Sequence, residues 1–112
     1  MADTMVVRAA TLGQFVEDVD ETQGVDLRQL APLTTLVIRT MNSEYRVTIT
    51  QGPEVSIQGG AYFPEPTLAW LDGASIGGNC LKVGWIGVGL LMEICSGGRR
   101  IVTSPVCAIA IE

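Results

Sequence analysis

The stretch at residues 79–105, NCLKVGWIGVGLLMEICSGGRRIVTSP, could be a membrane segment, a phosphate-holding loop or β-strand bent at its glycines. Its apolar run encloses Gly84, Gly87 and Gly89, and it ends in a double glycine, a double arginine and Thr-Ser-Pro. A membrane-spanning helix needs about 20 predominantly apolar residues. Residues 81–94 fall short of that, carry Lys82 and Glu93, and are cut by all three glycines. Residues 84–89 spell G-x-x-G-x-G, which is neither the dinucleotide-binding G-x-G-x-x-G nor the phosphate loop G-x-x-x-x-G-K-[ST]. A phosphate cradle also needs a following helix to point its amides at the anion. Here Leu90, Met92 and Ile94 alternate with Leu91, Glu93 and Cys95 instead, which is the period of a strand. The run therefore predicts a strand over residues 80–86, bent at Gly87 and Gly89 and continuing to Cys95. A turn at Ser96-Gly97-Gly98 leads into a last strand over residues 99–103, which Pro105 interrupts before it resumes over 106–111.

Upstream, the same period of two holds from residue 34. Residues 34–40 place Leu36 and Ile38 on one face, with Val37 and Arg39 on the other. Residues 43–50 turn Tyr45, Val47 and Ile49 inward and Arg46, Thr48 and Thr50 outward. A short turn at 41–43 and the turn signal QGPE at 51–54 join these to a third strand over 55–58, making a meander. Gly59-Gly60 then introduces AYFPEPT, whose prolines lack ladder donors. This is read as an ordered loop across the mouth of the sheet or against a neighbour. Residues 67–71 are strand again, with Leu68 and Trp70 on one face, and 73–78 form a turn or bulged edge. The fold class is mainly β: a small antiparallel β-barrel or sandwich of six to seven short strands.

Before Pro32 the period is helical. Leu12, Phe15, Val16 and Val19 form one stripe, opposite Glu17, Asp18 and Glu21. Thr11 stands as its cap and Gly24 as its end, with a further turn of helix at 26–30. The organisation is thus an acidic N-terminal helical segment, 1–31, and a small β-barrel domain, 32–112.

The 112 residues carry a net charge of −5, and only 17% are charged. Six acids against two bases give residues 1–31 a net charge of −4, while six acids against five bases leave the remainder at −1. That balance argues against non-specific nucleic-acid binding, which requires several phosphates to be neutralised at once. The thin polar coat points to a surface shared with another copy of the chain. With no histidine and three scattered cysteines, Cys80, Cys95 and Cys107, no metal site and no cofactor are expected. The thiols are expected to be reduced and mostly buried, and the location cytoplasmic. The N-terminus shows no secretory signal.

Four segments, IRTMNSEYRV, QGGAYFPEP, GWIGVGLLME and IVTSPV, resemble in that order a group of small bacterial proteins of unassigned function. The resemblance spans roughly residues 36–106 and implies no activity. A weaker likeness is to PilZ-type cyclic-dinucleotide receptors, through Ser75-Ile76-Gly77-Gly78. Gly73 stands where that motif has an acid, and the upstream R-x-x-x-R is absent.

No catalytic residue is assigned. Glu65 and Asp72 are weighed as a carboxylate pair, but both sit in turn-like stretches. Glu93 is read as an outward edge position. Were it buried, it would need a partner, which Arg39, Arg46 or Lys82 could supply, and a raised pKa would mark a functional lead. The ligand candidates are Arg99, Arg100, Thr103 and Ser104, beside a flexible double glycine, together with Arg39 and Arg46. Tyr62, Phe63 and Trp85 are the interface candidates; Tyr45 and Trp70 are weighed with them as stacking platforms. The expected function is that of a non-enzymatic, self-associating binding or regulatory module with a homo-oligomeric or protein partner and no membrane. The alternative is an RNA- or nucleotide-binding barrel using the four arginines, masked by the acidic N-terminal segment.

Overall fold

The computed structural model describes residues 24–76 and 80–112. The helix expected over residues 11–23 lies outside the described residues. Where apolar and polar residues alternate, the chain forms antiparallel strands. These are β1 (Gly24–Asp26), β2 (Thr35–Thr40), β3 (Glu44–Gln51), β4 (Glu54–Gly59), β5 (Phe63–Ser75), β6 (Leu81–Val83), β7 (Trp85–Gly87), β8 (Leu91–Ser96), β9 (Arg99–Val102) and β10 (Val106–Ile111). One sheet runs in the order β9-β8-β5-β4-β3-β2-β10, with β6 paired to the end of β5; β1 and β7 form a separate two-stranded ribbon.

The inward residues form one core: Leu36 and Ile38 from β2, Tyr45, Val47 and Ile49 from β3, Val55 and Ile57 from β4, and Leu71, Met92, Ile94 and Ile109 from the other strands. Burying each such aliphatic side chain stabilises the fold by roughly 1.5–3 kcal/mol. The ribbon adds Ile86, and the 3-10 turn Leu27–Gln29 adds Leu27, both in the same core. The Asp26 carboxylate caps that turn by accepting from the Arg28 backbone N–H at 2.9 Å. Residues 24–30, grouped with the acidic segment by sequence, therefore pack as part of the β domain.

The expected barrel is not closed: the sheet has two ends, β9 and β10, with no ladder between them. The two ends are successive parts of one stretch of chain, and its irregular middle binds both neighbours. The Thr103 N–H donates to the Met92 carbonyl at 3.0 Å and the Val106 N–H to Leu90 at 2.9 Å, while the Met41 N–H donates to Pro105 at 3.0 Å. The chain thus leaves β8 and joins β2 at Thr103-Ser104-Pro105, where proline withholds a donor and the ladder lapses.

Two local expectations change. The strand expected from residue 80 to Cys95 is three pieces, β6, β7 and β8. Gly84 (φ +72°) and Gly89 (φ +89°) take left-handed conformations that redirect the chain rather than bend a continuous strand. The expected loop at AYFPEPT is largely the start of β5. Its pairing with β4 skips from Gly59↔Phe63 to Ile57↔Thr67, so Pro64, Glu65 and Pro66 bulge out of the ladder. Among the described residues, no helix is long and apolar enough to cross a membrane.

Candidate functional site

Glu93 was expected on an outward edge. It lies on the outer face of β8, yet it is only 5% exposed, because side chains from two other strands close over it. The Ser75 hydroxyl donates to Glu93 Oε2 at 2.6 Å. Arg100 donates to Oε1 through Nε at 3.1 Å and also through Nη2. The partner is therefore Arg100, not Arg39, Arg46 or Lys82. The Ser75 hydroxyl first, and the Arg100 guanidinium second, hold the Glu93 carboxyl below the usual carboxylate range against the opposing effect of burial. An acid kept ionised, with both oxygens occupied, is no proton donor at neutral pH, so the raised-pKa lead is withdrawn.

The other candidates are placed as follows. Thr103 is buried; its hydroxyl accepts from the Met92 N–H at 3.0 Å and donates to the Ser104 carbonyl at 2.8 Å. The Ser104 hydroxyl accepts from the Asn42 N–H at 3.1 Å. Both hydroxyls hold the β9–β10 junction. The Arg99 guanidinium lies over the Tyr62 ring, 5.5 Å from its centroid, and ties the β8–β9 hairpin to the β4–β5 turn. Arg46 pairs with Glu112, and Arg39 sits on β2 with Glu44 as its cross-strand neighbour. Along the sheet, β8, β5 and β4 separate β9 from β3, so the hydrogen-bonded path does not bring the four arginines together.

Glu65 and Asp72 both belong to β5, seven positions apart on an extended strand that rises about 3.3 Å per residue, and form no carboxylate pair. Among the described residues, no cluster of three or more acids or thiols comes together to hold a metal. The three thiols are free, but none is buried: Cys80 and Cys107 are exposed and Cys95 is half-buried. Cys95 and Cys107 fall on the non-core phase of their strands.

The interface candidates divide. Phe63 is a core residue. Trp85 is half-buried, with Lys82 Nζ 4.0 Å from its ring centroid and Gly24 close against the ring, where a methyl group would come within 2.1 Å of Cζ2. Tyr62 is exposed.

Trp70, weighed from sequence as a stacking platform but not among the interface candidates, is the exposed aromatic of β5. Leu68 and Trp70 stand on the outer face, 62% and 51% exposed, while their neighbours Ala69 and Leu71 face the core. Trp70 lies between Glu54 of β4 and Cys95 of β8, and Arg100 of β9 lies beyond Cys95. A shallow depression of about 200 Å³ opens beside it, lined by Leu68, Trp70, Cys95, Ser96 and Gly97 among others. The signal was present in residues 67–71, TLAWL, which are apolar on both faces. A strand of that kind is covered on both sides. No family model, no curated protein and no solved structure matches this chain.

Proposed function

We propose that this chain is a non-enzymatic binding module that associates with itself through the outer face of β5, in the cytoplasm. The observation that carries the reading is the exposed Leu68–Trp70 pair in the middle of a sheet, with the polar and charged Glu54, Ser96 and Arg100 around it. An apolar centre with an aromatic anchor and a polar rim is the anatomy of a protein–protein contact. The low charge content of the chain supports the same reading. No described feature favours the RNA alternative, since Arg46 and Arg100 are paired with carboxylates.

Light scattering behind size-exclusion chromatography, on Trp70→Glu beside Val83→Glu, tests the reading. Val83, on β6, is an apolar residue at least as exposed as Trp70. Trp70→Glu is expected to reduce the particle to a monomer and Val83→Glu to leave it associated. An associated Trp70→Glu protein would contradict the proposed surface.

A further inference from the structure

We infer that two copies stack these outer faces about a two-fold axis running along β5, so that Glu54 of one copy meets the Arg100 side of the other; this rests on the self-association proposed above. Across β4, β5, β8 and β9 the outer face reads Glu54, Trp70, Cys95, Arg100, as the cross-strand registers Glu54↔Trp70, Trp70↔Cys95 and Arg100↔Cys95 fix it. The row is acidic at one end, cationic at the other and aromatic between. A two-fold axis in the interface plane and parallel to β5 reverses the row in the second copy. Glu54 then faces the strand next to the opposing Arg100, displaced sideways by one strand spacing of about 4.8 Å across sheets about 10 Å apart, a gap the two long side chains span together. An axis perpendicular to the strands would instead set Glu54 against Glu54 and Arg100 against Arg100, which costs affinity.

Self-complementary charge of this kind favours a second copy over a partner of uniform charge. Arg100 remains able to serve. Its bonds to Glu93 use Nε and Nη2, the guanidinium has further N–H groups, and its side chain is 62% exposed. Association by strand addition is disfavoured on β5. Among the described residues the strand has no ladder on its second edge before Trp70, but Pro64 and Pro66 lie in that segment and proline offers no N–H. Face-to-face stacking, with sheets about 10 Å apart, remains. Leu68 and Trp70 share β5 and so fall on the axis, each opposite its own counterpart.

The test uses full-length chains with Cys80, Cys95 and Cys107 changed to Ser. A single thiol is then introduced at Leu68→Cys, on the axis, or at Thr48→Cys, in the same outer-face row but two strands away. A short bismaleimide is the probe, and Trp70→Cys, which trims the aromatic anchor, serves as a second axial position where light scattering still finds that variant dimeric. Linkage into dimers is expected to be on the order of tenfold faster at the axial positions than at Thr48→Cys, because a held pair reacts intramolecularly. Equal rates in a protein that light scattering shows to be dimeric would overturn the axis and leave self-association standing. A wild-type monomer with no linkage at any position would overturn both. Axial thiols that link only in crude lysate, to another protein, would also overturn the inference in favour of a different partner.

Discussion

Replacing Arg100 with alanine should cost more than replacing the acid it serves. Glu93 is 5% exposed in the intact fold, and in Arg100→Ala it keeps Ser75 as the one remaining side-chain donor of the three bonds described. Stranding one member of a buried ion pair costs about 3–5 kcal/mol. Here the guanidinium side is 62% exposed, so water replaces part of what is lost and about 1–3 kcal/mol is expected. Glu93→Gln leaves a wet arginine and a neutral amide, and should cost about 0.5–1.5 kcal/mol. With a urea dependence of about 1–3 kcal/mol per molar, Arg100→Ala should move the unfolding midpoint by roughly 1 M. Urea titrations at one protein concentration, followed by tryptophan fluorescence, read both variants and their double mutant, whose cost should fall short of the sum.

The pH dependence follows from the same contacts. The folded state holds the Glu93 carboxyl below its ordinary range, so its contribution is complete above that range. The contribution is lost as pH falls from the ordinary glutamate range through the lowered folded value. Glu93→Gln should flatten that part of the acid-stability profile. An Arg100→Ala protein within about 0.5 kcal/mol of wild type at neutral pH would make the Glu93–Arg100 pair no more than an ordinary surface contact.

Three further outcomes test the placement of individual elements. Leu27→Ala should destabilise by about 2–5 kcal/mol in the same titration, because Leu27 is a core residue although sequence grouped it with the acidic segment. Gly24→Val should cost about 1–3 kcal/mol and alter the tryptophan emission, since its side chain would collide with the Trp85 ring; an unchanged spectrum and melting point would contradict the β1–β7 pairing. Leu33 adopts φ +71° and is 78% exposed, so Leu33→Gly should relieve strain, offset in part by unfolded-chain entropy, and raise stability by up to about 1 kcal/mol in a thermal melt.

Local pattern carried much of the fold. Tyr45, Val47 and Ile49 alternate with polar residues, and their inward orientation follows from the period alone. The Gly97-Gly98 hairpin was equally plain, because a double glycine between alternating runs turns the chain. What depended on distant residues was not legible. Glu93 finds Ser75 eighteen residues away, so its burial could not be read from its own neighbours. Gly24 pairs with Gly87, and nothing near Gly24 announces a strand. Barrel closure was over-read because the turn-punctuated strand count does not say whether the last strand finds the first. On β5, TLAWL is apolar on both faces, so alternation could not decide which side is the core. The choice is made by Ala69 and Leu71 packing inward, and it leaves Trp70 outside as the best candidate for contact.

Self-association is read directly from the mass of the wild-type chain by sedimentation equilibrium over a wide concentration range. A dimer stacked through β5 gives a mass rising with concentration to twice the 11.9 kDa of a single chain. A mass that stays at 11.9 kDa into the high micromolar range would contradict it.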